Sequence, residues 1–266
     1  MQDRFGRKIT YLRVSVTDRC NLRCKYCMPE SGVVLLTHDQ ILSLEEISEV
    51  VKTAVDMGVT KVRLTGGEPL VRKGIVDLVK MIAKIEGIKD FGLTTNGILL
   101  EDYAKPLADA GLERVNVSLD TLDPRRFKEL TRGGDIKKVL KGLKAAERAS
   151  LTPIKLNCVV GKYSTGRDVA SVRAFGKERG FQVRTIRMMD FASGSFSVVE
   201  GGSGGDCENC NRLRLSSNGK IRPCLFSDKS FSVRKLGAVE AIRRAVIEKP
   251  ESGGPCKHDW MHGIGG

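Results

Sequence analysis

From residue 10 to about residue 188 the chain alternates short β-branched runs with stretches of helical period. Each strand, crossover and following strand closes a parallel pair, so the repeated pattern leaves two architectures, an open α/β sheet or an incomplete β/α barrel. Six strands are predicted: Leu12 to Val16, Lys61 to Thr65, Phe91 to Thr95, Arg114 to Leu119, Ile154 to Val160 and Val183 to Met188. Between the first two, Ser43-Leu-Glu-Glu46 forms a capping box that opens a helix. Its apolar positions Leu44, Ile47, Val51, Ala54 and Val55 share one stripe, and Gly58 ends it. Further helices are predicted over Ile75 to Ile85, Glu101 to Ala110, Ile136 to Ala149 and Arg167 to Arg179. In barrels of this kind ligands gather at the C-terminal ends of the strands.

The periodicity breaks at residues 191–206, whose Gly and Ser content is that of a flexible linker. Residues 1–190 are therefore expected to form the partial barrel and residues 207–266 a small C-terminal region. That region holds one predicted helix, Ala238 to Ile247, and so little core that a metal would be needed to hold it. The chain has 41% hydrophobic and 29% charged residues, which excludes a disordered chain. No apolar run approaches the roughly 18 residues of a membrane span, and the start lacks an apolar signal core, as expected of a cytoplasmic protein. A net charge of +13 calls for acidic partners. With aromatics at 5%, platforms for stacking unpaired bases are few, and a small phosphorylated ligand fits better than nucleic acid.

Six of the eight cysteines fall in two tight groups. Cys20, Cys24 and Cys27 follow the first strand as C-x3-C-x2-C, and Cys207, Cys210 and Cys224 are spaced C-x2-C-x13-C. Structural zinc wants four ligands, so each trio needs either a distant fourth residue or a cluster that leaves one iron open. For the second trio Cys256 or His258 would complete a zinc site. Arg212 and Arg214 alternate on a predicted strand and share a face, a fork for phosphate or a purine edge. Gly66-Gly67-Glu68-Pro69 ends the second strand, where glycine lets backbone approach a ligand. Thr94-Thr95-Asn96-Gly97 and Ser118-Leu-Asp120 end the third and fourth strands.

The string Cys20-x3-Cys24-Lys-Tyr26-Cys27 resembles the signature of the radical S-adenosylmethionine (SAM) superfamily, with Tyr26 as its aromatic, and Gly66 to Pro69 resembles that superfamily's SAM-amine motif. The resemblance narrows to the GTP 3′,8-cyclase (molybdenum cofactor biosynthesis protein A) family. The strings that carry it are Phe5-Gly-Arg, Tyr11-Leu-Arg13 through Cys20, Lys61-Val-Arg63 through Leu70, Cys207-x2-Cys210-Asn-Arg-Leu-Arg, Pro223-Cys224-Leu-Phe-Ser and the closing Gly265-Gly266.

The resemblance implies an α/β fold, an incomplete (β/α)6 TIM-like barrel with a small C-terminal cluster-binding region. It implies two [4Fe-4S] clusters, one on Cys20, Cys24 and Cys27 and one on Cys207, Cys210 and Cys224. A 5′-deoxyadenosyl radical from SAM would take the 3′ hydrogen of GTP, and ring closure to guanine C8 would give 3′,8-cyclo-7,8-dihydro-GTP. No side chain is itself assigned the chemistry. SAM would meet Tyr26, Gly67, Ser118 and Met189, and GTP would meet Arg13, Arg63, Thr94, Lys155, Arg184, Arg212 and Arg214. The diglycine Gly265-Gly266 would be a tail reaching into the site. The implied partners are a low-potential electron donor and a downstream pyranopterin-forming enzyme. Neither a membrane nor a nucleic acid is expected, and a homodimer is admitted.

Two departures from the family pattern stand out. Only 17 residues separate Met189 from Cys207, where the family has a longer segment; fully extended they would span about 56 Å, enough to reach the barrel mouth. Arg187 stands where the family usually carries an acid. Three other readings remain on the sequence alone: a radical SAM enzyme with an auxiliary cluster and another substrate, a shortened and impaired cyclase, and a zinc-stabilised basic RNA-binding protein.

Overall fold

The computed structural model describes residues 1–190, 192–194 and 196–256. Six parallel strands wind as expected, the first five each followed by a helical crossover. The strands are β1 Tyr11–Ser15, β2 Lys61–Thr65, β3 Asp90–Thr95, β4 Arg114–Ser118, β5 Lys155–Val160 and β6 Gln182–Arg187. Three more follow in the C-terminal part, β7 Arg212–Leu215, β8 Lys220–Arg222 and β9 Phe231–Ser232. The nine form one sheet in the order β6-β5-β4-β3-β2-β1-β7-β8-β9, parallel from β6 to β7 and antiparallel beyond. The sheet curls without closing, which makes it a partial barrel of the kind the sequence implied.

The helices are α1 Leu44–Asp56, α2 Ile75–Ala83, α3 Leu100–Asp109, α4 Pro124–Thr131, α5 Ile136–Arg148, α6 Gly166–Arg179, α7 Val233–Leu236 and α8 Ala238–Ile247. Ser43 and Glu46 form both halves of the capping box on α1. Helix α4 was not predicted. It starts on an Asp123 N-cap with Pro124 in its first turn, but its eight residues bury only Phe127, Leu130 and Thr131, too few to show a period.

Strand alternation sorts the two faces. Leu12, Val14, Val62, Leu64, Phe91, Leu93, Val115, Val117, Leu156 and Cys158 are buried on the face covered by helices. The alternate residues Tyr11, Arg13, Lys61, Arg63, Thr94, Asn116, Ser118 and Asn157 point into the barrel and line its cavity.

The C-terminal part differs from expectation in one respect. Strand β7 pairs with β1 from Tyr11↔Arg212 to Val14↔Leu215, and Leu213, Leu215, Ile221, Val233, Ile242 and Ala245 join the same hydrophobic core as the barrel. Residues 212–247 therefore draw on the barrel's core instead of lacking one, with Leu225 and Phe226 in a small cluster of their own.

The Gly/Ser segment is also docked, where a free linker was expected. Thr185 on β6 and Glu200 exchange backbone hydrogen bonds of 3.2 Å each way, and the Arg173 guanidinium reaches the Glu200 carboxylate at 2.6 Å. The Arg184 Nε donates to the Gly201 carbonyl at 3.2 Å, and Arg212 on β7 donates to both oxygens of Ser203 at 2.7 Å. The segment thus straps β6 to β7 across the open side of the curled sheet. Among the described residues no helix is long and apolar enough to cross a membrane.

Candidate functional site

One cavity occupies the barrel interior, with about 1680 Å3 of atom-free space that includes part of its open mouth. Two chemically distinct ends face each other across it.

The upper end lies at the C-terminal tips of the strands. Cys20, Cys24, Tyr26 and Cys27 line it together with Gly66, Gly67, Glu68, Thr95, Asn96, Ser118 and Met189. Gly67 is required by close approach: a Cβ there would stand 2.3 Å from the Arg19 carbonyl oxygen, so the glycine turn and the loop entering Cys20 lock together. Glu68 ties the tips of β2 and β3. Its carboxylate accepts from Leu70 N at 3.0 Å, the Thr95 hydroxyl at 2.7 Å and Asn96 N at 2.7 Å, and burial raises its pKa to about 7 against those bonds. The Asn96 amide donates to Asn21 and, at 3.8 Å, to the Cys20 sulfur, while Leu22 N donates to the same sulfur at 3.4 Å. The Tyr26 hydroxyl donates to the Asp120 carboxylate at 2.7 Å.

Burial raises the Cys20 thiol, and burial with the neighbouring Cys27, Asp120 and Cys20 holds Cys24 well above the thiol range. Burial and Cys20 push Cys27 to about 12. Three half-buried thiols that resist ionisation in one another's company fit a bound cationic centre, which supplies the missing positive charge. A trio of thiols fits an iron–sulfur cube that leaves one iron open better than structural zinc, which takes four ligands.

The lower end is a band of cations set by strand register. Arg214, Arg13, Arg63, Gly92 and Arg114 stand side by side on β7, β1, β2, β3 and β4. Gly92 leaves the space: a Cβ there would lie 3.3 Å from the Arg63 guanidinium carbon. Lys61 and Arg212 flank the Tyr11 ring at 5.0 and 5.6 Å. Asp90 answers part of the charge, pairing with Arg114 at 2.5 Å and Lys61 at 2.8 Å and standing 3.9 Å from Arg63.

The excess shows in the titrations. Burial, then Arg114 and Arg13, lowers Arg63 to about 10; burial, then Arg13 and Arg212, lowers Arg214 to about 9. Burial, then Arg184, Arg114, Lys61 and Arg63, lowers Lys155 to about 8. Tyr11 would be raised by burial, but Arg13, Arg63, Arg212 and Lys61 carry it down to about 8. Arg63 Nε and Nη1, Thr94 Oγ1 and Asn157 Oδ1 are buried without a partner among the described residues. Native proteins rarely leave such groups unsatisfied, and here they border the cavity, as they would if a ligand completed them.

Of the residues singled out from sequence, Cys20, Cys24, Cys27, Tyr26, Gly67, Ser118, Met189, Arg13, Arg63, Thr94, Arg184, Arg212 and Arg214 all line this cavity, as does Arg187. Lys155 is not among the lining residues, although it alternates with Asn157 on the inward face of β5. Gly265 and Gly266 lie outside the described residues. Lys61, Asn116 and Asn157 were not singled out, yet their period-two spacing with neighbouring polar residues marks the inner face of a barrel strand.

Cys207, Cys210 and Cys224 lie beside this cavity and do not line it. Cys210 and Cys224 sense each other electrostatically, and Cys224 packs with Met189, Phe196 and Cys256 around Leu225 and Phe226. Burial, which would raise the Cys210 thiol, is outweighed by Lys249 and Arg212, and its pKa is lowered. Arg7, from the Phe5-Gly-Arg string, pairs with Asp3 at 2.7 Å and donates to the carbonyls of Cys207 at 2.7 Å, Pro250 at 2.6 Å and Glu251 at 2.7 Å. The N-terminus thus pins the loop that carries the second cysteines.

Comparison with known proteins agrees with this layout. The Radical SAM superfamily model matches residues 14–175, and the Molybdenum Cofactor Synthesis C model matches residues 169–252. A GTP 3′,8-cyclase of Thermodesulfovibrio yellowstonii is 41% identical over 298 aligned positions, covering 93% of this chain and 92% of the relative. One from Alkaliphilus oremlandii is 39% identical over 312 positions, covering 98% and 95%. Both alignments are longer than the chain's 266 residues, so the relatives carry residues that this chain lacks. Among solved structures, Streptococcus suis SuiB bound to S-adenosylmethionine superposes with a TM-score of 0.68 at 16% identity, over 88% of this chain and 63% of that one. Native anSMEcpe with bound AdoMet gives 0.62 at 17%, over 91% and 81%. At that identity the likeness is one of fold.

Proposed function

Because the chain belongs to the GTP 3′,8-cyclase family within the radical SAM superfamily, we propose that its two cavity ends divide the labour, the thiol end holding cluster and SAM and the arginine end holding GTP. The reaction of this family, conversion of GTP to 3′,8-cyclo-7,8-dihydro-GTP in molybdenum cofactor biosynthesis, is the chain's function. The observation that carries the division is the register-aligned row Arg214, Arg13 and Arg63, which lines the same cavity as the three thiols. When bound, a cluster on Cys20, Cys24 and Cys27 together with SAM supplies a carbon-centred radical for hydrogen abstraction.

The chain's own residues do the rest by holding and enclosing. Gly67, Ser118 and Met189 line the place of the SAM methionyl group, with Tyr26 fixed by its bond to Asp120. Arg13, Arg63, Lys155, Arg184, Arg212 and Arg214 supply the charge for a triphosphate, and Thr94 offers a hydroxyl to it. Phe196 and Val199 of the strap cover the open side and keep bulk water from the reacting atoms.

Finer points belong to the same reading. Residues 1–190 act as the radical half, 191–206 as the strap, and 207–266 as the substrate half, with Cys207, Cys210 and Cys224 holding a second cluster. A low-potential electron donor and a pyranopterin-forming enzyme complete the pathway, in a cytoplasmic setting that keeps eight thiols reduced. The test is anaerobic reconstitution with iron and sulfide, then incubation with SAM, GTP and reductant. The expected result is 5′-deoxyadenosine formed only when GTP is present, with a cyclised nucleotide by mass spectrometry. SAM cleavage that ignores GTP would overturn the assignment of the arginine end.

A further inference from the structure

We propose that Lys249 is a positioning residue of the second cysteine set, its buried ammonium fixing Cys210 and Cys224 in the arrangement that receives an anionic iron–sulfur cluster. The proposal rests on the reading of Cys207, Cys210 and Cys224 as a cluster site.

Lys249 follows α8 and is 1% exposed. An ammonium has three hydrogens to donate. Two are spent at this site, one on the Arg212 carbonyl at 2.8 Å and one on the Pro223 carbonyl at 2.7 Å. Among the described residues no carboxylate stands within ion-pair distance of it. A buried cation without a counter-ion is strongly unfavourable. Its charge acts to lower the thiols of both Cys210 and Cys224, and a cluster held on these sulfurs would supply the anion that balances it.

The carbonyl contacts add geometry to charge. Pro223 directly precedes Cys224, and Arg212 lies two residues beyond Cys210, so one side chain spans the two segments that carry these cysteines. Arg7 does for the third cysteine what Lys249 does for the other two, through the Cys207 carbonyl. Its remaining donors hold the carbonyls of Pro250 and Glu251, which directly follow the lysine. Residues 249–251 and the three cysteines thus form one hydrogen-bonded unit around a buried charge. No cysteine motif includes Lys249, which is why the spacing of the thiols alone did not reveal it.

The test compares the full chain with Lys249→Met, Lys249→Gln and Lys249→Arg after anaerobic reconstitution, by iron and sulfide counting and by redox-titrated electron paramagnetic resonance. The parent should hold about eight irons, four in each cube. The neutral variants should fall to about four, with the SAM-responsive signal of the first cluster intact, or keep the second cluster at a more negative midpoint potential. Lys249→Arg should restore iron near the parent value. Neutral variants that hold about eight irons at the parent potential would overturn the proposal, whatever their melting temperature. The Gln variant, which keeps amide donors, decides the matter if the Met variant does not fold. A parent with only about four irons would overturn the second-cluster reading itself, a distinct outcome.

Discussion

At the scale of single residues, the arginine end is a charge imbalance awaiting an anion, and two titrating groups report on it. Tyr11 and Lys155 both have pKa values drawn down to about 8. Above that pH the tyrosine gains negative charge and the lysine loses positive charge, so GTP affinity should fall as pH rises from 7.5 to 9. Their own contribution to the stability of the ligand-free protein moves the other way. Between about 8 and 10 each is less protonated folded than unfolded, so the parent should gain stability over the Tyr11→Phe, Lys155→Arg variant as pH rises, while the raised thiols Cys20, Cys24 and Cys27 act on both chains alike. Equilibrium dialysis with GTP and urea midpoints over the same range check both, and the double variant Tyr11→Phe, Lys155→Arg should flatten the affinity profile. At the other end, Gly67→Ala must displace backbone, because its Cβ meets the Arg19 carbonyl oxygen at 2.3 Å. The expected cost is about 1–3 kcal/mol of stability, with SAM affinity down at least tenfold by dialysis. Gly67 was legible because its motif is local and follows a strand. Arg7 was legible only as a member of a string, since the carbonyls it holds lie 200 to 244 residues away in sequence.

At the scale of elements, the six barrel strands were legible nearly to the residue because each carries β-branched residues, and most crossovers announce themselves by an apolar stripe, as in Ser43-capped α1. The strap was not. A Gly/Ser run carries no periodic signal, and its docking depends on Arg173, Arg184 and Arg212, which come from three other elements. Its path also depends on Gly205, whose φ of +82° and 2.3 Å distance from a built Cβ to the Ser197 carbonyl oxygen exclude a side chain. Gly205→Ala should therefore unseat the strap while leaving the sheet intact. The KM for GTP should rise several-fold with SAM binding unchanged, and limited proteolysis should cut faster between residues 196 and 206. Unchanged kinetics would show that the strap is not part of the substrate enclosure.

At the scale of the whole molecule, the barrel and the C-terminal part are one sheet over one core. The chain should unfold in a single calorimetric transition with equal calorimetric and van't Hoff enthalpies. Two resolved transitions would mean that the halves are separable. Sequence periodicity does not reveal this unity, because the pairing of β1 with β7 joins segments from opposite ends of the chain. The same pairing has a consequence for synthesis. Strand β1 leaves the ribosome well before the strand that covers one of its edges, which is made roughly 200 residues later. At about 5–20 residues per second that is a wait of about 10–40 s. Throughout it the nascent chain holds an apolar strand with one row of backbone hydrogen-bonding groups unpaired, an invitation to pair with a neighbouring chain. Yield in a cell should therefore depend on chaperone supply and translation speed more than the stability of the finished fold would suggest.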